Sequence, residues 1–231
     1  MPPEPIRQKY TVPAAIVGAG LLLAVAVYLY NAPINYNFFG GQNAKVASYT
    51  PPQATDHLLG NPGAPIKLIE YCDIAVPYCV QFQSVMNSIM ASYGASGQVA
   101  WIYRHLPLVA IDPKEKANLN AAECAAQIGG SNAFFGFVSA IATTTKPAPD
   151  YLAVATKLKL SASDFNTCIT SNKFDDMVTT DYQEAATAGA TGAPFTIILV
   201  SGHEPISIAG SISYAEMRQI IEQARTALNA K

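Results

Sequence analysis

Cys72, Cys79, Cys124 and Cys168 are the residues of this 231-residue chain best suited to chemistry. A thiolate attacks a disulfide sulfur, and an even number of cysteines in an exported domain invites pairing, so disulfide exchange or bridging is the first expectation. Cys79 closes the segment Val76-Pro77-Tyr78-Cys79, with Cys72 upstream of it at the end of an apolar run. No metal and no cofactor is expected, because the cysteines form no Cys-x-x-Cys pair and have no nearby histidines at zinc-ligand spacing.

Two elements must position Cys72 and Cys79. Asn61-Pro62-Gly63-Ala64-Pro65 is a turn-rich approach to Ile66–Cys72, a short apolar run that reads as a buried strand ending at Asp73. From Pro77 the spacing becomes helical, with Val80, Phe82, Val85, Met86, Ile89 and Met90 on one stripe up to Gly94. Pro77 suits the first helical turn, where its missing N–H costs nothing. Val99–Arg104 is the next strand, halted by His105-Leu106-Pro107, and a helix joining two such strands is the βαβ unit of a parallel pair.

A helical block follows. Asp112-Pro113 offers an N-cap with proline at the first position, and Ala117, Ala121, Cys124, Ala125 and Ile128 keep helical spacing to Gly129-Gly130. Further short helices are expected to start near Asn132, Asp150, Ser163 and Asn172, with no strand before about residue 188. Phe195–Val200 and Pro205–Ala209, separated by Ser201-Gly202-His203-Glu204, read as a β-hairpin. Ser213-Tyr214-Ala215-Glu216 is a capping box opening a last amphipathic helix through Met217, Ile220, Ile221, Ala224 and Leu228.

Residues 11–30 contain no charge and have the length of a membrane-spanning helix. Arg7 and Lys9 precede this run and no charge follows until Lys45, so the positive-inside rule makes residues 1–10 a cytoplasmic tail and puts the rest outside the cell membrane. A signal peptide cleaved after Ala24-Val25-Ala26 is the competing reading; either way the domain is exported. Residues 31–55 read as a linker and 56–231 as one domain, with its helical insertion at about 112–188. Formal net charge is −2 and no stretch clusters Lys and Arg with aromatics, which excludes nucleic acid as a partner.

The order βαβ, helical block, ββα resembles the DsbA-like branch of the thioredoxin superfamily, an α/β fold, over about residues 56–228. Three segments carry the resemblance: Ile69-Glu70-Tyr71-Cys72-Asp73 with Val76-Pro77-Tyr78-Cys79, Tyr103-Arg104-His105-Leu106-Pro107-Leu108, and Thr191-Gly192-Ala193-Pro194-Phe195. In such proteins the motif is Cys-Pro-Phe/Tyr-Cys: the first cysteine attacks the substrate disulfide and the second resolves the mixed disulfide. Here the second is Cys79 and the first is Val76, which has no nucleophile.

The resemblance implies further roles. Pro194, after Ala193, corresponds to a cis-proline that shapes a substrate groove together with Val76, Pro77 and Tyr78; a trans proline opening an edge strand is the alternative. Glu70 corresponds to a buried acid that shuttles the proton of the resolving cysteine, against the alternative of a solvated strand-edge carboxylate. His105 falls near the site in the resemblance, while a lone histidine at a strand end is more often structural. Cys124 and Cys168 match a disulfide that staples the insertion in relatives; its loop of about 44 residues would contribute about 3 to 4 kcal/mol. Strand alternation points Cys72 to the same face as Glu70, so a Cys72–Cys79 bridge and two free thiols both stand open.

Two functions compete. One is a membrane-anchored thiol:disulfide oxidoreductase of unfolded or cysteine-containing exported proteins, using Cys72 and Cys79, or Cys79 alone, with a membrane redox partner. The other is a redox-inert peptide-binding or chaperone-like module that keeps the groove beside Pro194.

Overall fold

The structure is a computed structural model, and it describes residues 46, 48–107, 113–142, 150–171 and 173–230. The chain divides into two units, 1–35 and 36–231, and every described residue lies in the second. The expected tail (1–10), membrane anchor (11–30) and most of the linker lie outside the described residues, as does the expected cap Asp112. Among the described residues no helix is long and apolar enough to cross a membrane.

Five strands form one mixed sheet: β1 (His57–Gly60), β2 (Ile66–Cys72), β3 (Val99–His105), β4 (Phe195–Val200) and β5 (Ile206–Ala209), in the spatial order β1-β3-β2-β4-β5. β2 and β3 are parallel, joined through α1 (Pro77–Ile89) and a wider π turn at Met90–Gly94, while the pairs β1–β3, β2–β4 and β4–β5 are antiparallel. β2 is central and covered on both faces, every residue but Lys67 being buried. Ile66, Leu68 and Cys72 face one core with Phe82 and Met86 of α1, and Ile69 and Tyr71 face a second with Ile102, Phe195 and Ile197. This alternation puts Glu70 on the α1 side.

The helical block comprises α2 (Pro113–Ala142), α3 (Tyr151–Lys157), α4 (Ala162–Ile169) and α5 (Asp175–Thr187). α2 is broken at Gly130, whose φ of 71° and ψ of −169° leave the helical region at a conformation that suits glycine. Asp150 caps α3 as expected, but the cap of α4 is Ser161 rather than Ser163, because the Ser161 hydroxyl accepts from the Asp164 N–H. α5 begins at Asp175, three residues beyond the expected start. α6 (Tyr214–Asn229) opens on the reciprocal Ser213–Glu216 capping box and packs Met217, Ile220, Ile221 and Ala224 into the first core.

Two features lay outside the sequence expectation. β1 is only four residues long and has no clean alternation, yet it covers the edge of β3, and its Leu58 N–H donates to the Ser131 hydroxyl just past the break in α2. The folded unit also reaches back upstream of residue 56: Val46 is buried in the second core. Arg104, itself buried, donates to the Thr50 and Pro51 carbonyls, to Asp56 and Glu184, and to the Tyr71 hydroxyl.

Candidate functional site

The site forms where β2 runs into α1. Val76 is the N-cap residue in an extended conformation and its side chain makes no capping hydrogen bond; Pro77 follows in the first turn, which carries no acidic residue. The helix N-terminus is therefore uncapped, and its amides present positive charge to Cys79. Pro77 and Tyr78 are exposed, Tyr78 to 64%.

Cys72 and Cys79 are bonded, with Cα atoms 5.8 Å apart. Both are buried, at 0% and 1% exposure. The sulfurs sit under the helix start, inward of the position held by Val76. The Asp73 backbone N–H donates to Cys79 Sγ at 3.2 Å, and the Tyr103 hydroxyl donates to the Cys72 carbonyl at 3.0 Å.

The sheet register surrounds Cys72 with two further residues. On the parallel side Cys72 pairs with His105. On the antiparallel side Tyr71 pairs with Phe195, so one more step along the ladder sets Pro194 across from Cys72. The Ala193–Pro194 bond is cis, Ala193 packs against the core that contains both sulfurs, and the Gly210 N–H donates to the Pro194 carbonyl.

Glu70 is fully buried on the same face, two residues from Cys72, and among the described residues neither carboxylate oxygen has a hydrogen-bond partner. Burial pushes its pKa up to about 8; the Trp101 indole N–H, facing it without closing a hydrogen bond, offsets only part of this. Glu70 is thus a protonated acid at neutral pH. Thr196, its partner on β4, is also buried, and its hydroxyl has no hydrogen-bond partner among the described residues.

A second cluster lies on the β3 side. Glu123 of α2 accepts from Nε2 of His105 and Nε2 of His57 at 2.7 Å each, and His57 stacks on Phe134. Burial opposes ionisation of Glu123, but the two imidazoles hold its pKa at about 2. Burial likewise opposes charge on His105, but its hydrogen bond to Glu123 and the charges of Glu123, Asp181 and Asp73 together outweigh that and raise the imidazole above its ordinary value. The His105 backbone N–H donates to Asp181, whose carboxyl burial raises to about 6.

The structure thus brings Glu70, Cys72, Cys79 and Pro194 together, with Val76, Pro77 and Tyr78 at the rim. Cys124 and Cys168 lie apart from them, bonded between α2 and α4 with Cα atoms 5.7 Å apart. Sequence reasoning missed His57, Glu123 and Asp181. His57 and Glu123 are 66 residues apart on different elements, so no local spacing links them. Chemically, a disulfide whose Cys79 sulfur has an amide donor and a helix N-terminus, with a protonated acid on the same face, can accept two electrons and one buried proton.

A family model described as Thioredoxin matches residues 53–223. Among solved structures the chain is similar to Wolbachia pipientis alpha-DsbA1 (TM-score 0.65, 23% identity, covering 77% of this chain and 96% of that one). It is also similar to Pseudomonas aeruginosa DsbA2 (0.62, 21%, 74% and 96%) and to oxidised BdbD from Bacillus subtilis (0.63, 17%, 78% and 98%). A sequence relative is the Na(+)/H(+) antiporter NhaA 3 of Salinispora tropica, 28% identical over 139 residues, which are 60% of this chain and 21% of the antiporter. Another is the Na(+)/H(+) antiporter NhaA 1 of Mycolicibacterium gilvum, 32% identical over 74 residues, 32% of this chain and 12% of that one. The chain spans about a fifth or less of the length of these relatives.

Proposed function

Because this chain belongs to the thioredoxin family and carries its DsbA-like fold, we propose that it is a thiol:disulfide oxidoreductase whose redox pair is Cys72–Cys79. The observation that carries the reading is the disulfide bridging the end of β2 to the first turn of α1, with the cis-Pro194 register position beside it. In this account the pair has moved one step inward to compensate for Val76.

A substrate thiolate reaching past Pro194 attacks Sγ of Cys72. The bond to Cys79 breaks and its electron pair leaves on Cys79, where the Asp73 N–H and the helix N-terminus stabilise the thiolate and so favour it as the leaving group. Glu70, neutral at pH 7, supplies a proton to that thiolate. A second substrate thiolate then attacks the substrate sulfur of the mixed disulfide and displaces Cys72 as a thiolate; Cys72 and Glu70 each take up a proton from solvent, matching the two that the substrate thiols released. The substrate dithiol is oxidised to a disulfide, the protein disulfide is reduced to two thiols, and a membrane redox partner reoxidises the pair.

Burial of both sulfurs means that exchange requires the segment 73–78 to lift, and the exposed residues Ala75, Pro77 and Tyr78 with an uncapped helix start support such opening. The same burial favours a second reading, a redox-inert module that holds unfolded exported chains in the groove beside Pro194. The anchor at residues 11–30, the cell-membrane location with the domain outside, and cysteine-containing exported proteins as clients belong to this proposal; the uncharged run and its flanking charges support them. Antiport is not part of it, since the match covers so little of those relatives.

Oxidation of a fluorescent dithiol peptide by one equivalent of the disulfide-bonded full-length protein tests the reading. Stoichiometric oxidation that disappears in Cys72→Ser and Cys79→Ser, with both variants folded by circular dichroism, is expected. Oxidation no faster than in buffer leaves the redox-inert reading.

A further inference from the structure

His57, His105 and Glu123 come from three separate elements, the start of β1, the end of β3 and the middle of α2, and meet at one point. Their nearest ligand atoms, two imidazole nitrogens and one carboxylate oxygen, all lie within 4.8 Å of one another. We propose that these three side chains bind a first-row divalent transition metal, with Zn²⁺ as its representative, and that the ion fastens the edge of the sheet to the helical insertion.

The donor set selects the class of ion. Two imidazoles with one carboxylate suit zinc and its neighbours, whereas calcium and magnesium take oxygen ligands. Three protein ligands leave a fourth position for water. The Glu123 carboxylate is nearly out of solvent, at 3% exposure, and both imidazoles converge on it from separate elements. Both imidazoles now approach the same oxygen, Glu123 Oε1, at 2.7 Å, which needs a proton on each Nε2. A tetrahedral ion with bonds of about 2.1 Å separates its ligand atoms by roughly 3.4 Å, so each contact opens by only about 0.7 Å on binding. Nδ1 of His105 has no hydrogen-bond partner among the described residues, and none of them enforces either tautomer from the far side of that ring.

Access comes from the His57 side. His57 is 12% exposed and lines a polar cavity of about 100 Å³, together with Tyr103, Asp181 and Glu184. The cavity reaches the cluster at His57.

The test uses the full-length chain in detergent, with both disulfides intact so that no thiol competes for metal. It is stripped with a chelator, incubated with Zn²⁺ alone and desalted, and the bound metal is counted; a Co²⁺-loaded sample gives the visible spectrum. One equivalent of zinc is expected, with a rise in Tm that Ca²⁺ and Mg²⁺ do not reproduce and a Co²⁺ spectrum of nitrogen and oxygen ligation without a sulfur charge-transfer band. Glu123→Gln and His57→Gln are each expected to lower the retained metal at least about tenfold. His57 sits at the cavity rim, so its variant keeps the core and reports on the ligand rather than on folding. Retention of no zinc by the wild-type chain, an equal effect of calcium, or zinc retained in full by the His57→Gln/Glu123→Gln double variant overturns the proposal.

Discussion

Cys79 and Cys72 are joined across the junction of a strand and a helix, with Cα atoms 5.8 Å apart, and the Cys79 sulfur accepts the Asp73 backbone N–H. The relation sets a polarity on the bridge. Cys79 has an amide donor and a helix N-terminus to hold a thiolate, and Cys72, on the strand, has neither among the hydrogen bonds described, so a bond broken by attack on Cys72 releases the better leaving group.

Val76→Cys places a sulfur at the half-buried N-cap position. In the reduced protein this thiol is expected to react with iodoacetamide at pH 7 at least about tenfold faster than Cys72 or Cys79, because position 76 is only partly buried while both native sulfurs are fully buried, and it lies on the helix N-terminus. Peptide mapping after timed alkylation checks this. Equal rates at the three positions would mean that the wild-type pair is already accessible.

Glu70 couples folding to pH. Its folded pKa of about 8 lies above the unfolded value near 4.5, so between those values the folded state holds a proton that the unfolded state has lost. The contribution is fully present below pH 4.5 and is lost as pH rises through 8. Denaturant unfolding from pH 5 to pH 8 should show wild-type stability falling relative to Glu70→Gln, with a slope approaching about 1.4 kcal/mol per pH unit from this group. A constant difference between the two across that range contradicts the assignment of Glu70 as a buried neutral acid.

Cys124→Ala/Cys168→Ala removes a cross-link spanning 44 residues between α2 and α4. A loss of about 3 to 4 kcal/mol is expected from unfolded-chain entropy, with dithiol oxidation by the Cys72–Cys79 pair retained. Chemical denaturation and the single-turnover assay together separate the two roles.

Arg104→Ala leaves Asp56 and Glu184 without their buried cation and frees the Thr50 and Pro51 carbonyls. Breaking such a pair costs about 3 to 5 kcal/mol, and the segment before β1 should become the first site of proteolysis. Limited proteolysis followed by mass spectrometry locates the cut.

Much of the fold was legible because its signals are local. The apolar run of β2, the helical stripe beginning at Val80, the hairpin and the Ser213–Glu216 capping box each declare themselves within a few residues. β1 did not, since four residues with partial burial carry no period, and its strand character comes from pairing with β3 across some forty residues of chain. Strand alternation put Glu70 and Cys72 on one face, but whether the sulfurs meet depends on how the helix start sits over the strand, which no spacing encodes. The cluster of His57, His105 and Glu123 was illegible for the same reason: its members converge only through the docking of α2 on β1 and β3.

In the proposed reaction electrons enter this protein through Cys72 and Cys79. Full-length oxidised protein mixed with an excess of a dithiol peptide, quenched with acid at intervals, and mapped by differential alkylation and mass spectrometry tests it directly. Alkylation of Cys72 and Cys79 is expected to rise in step with peptide disulfide while the Cys124–Cys168 bridge stays closed. Peptide oxidation with the Cys72–Cys79 bond intact, or reduction that starts at Cys124–Cys168, would contradict it.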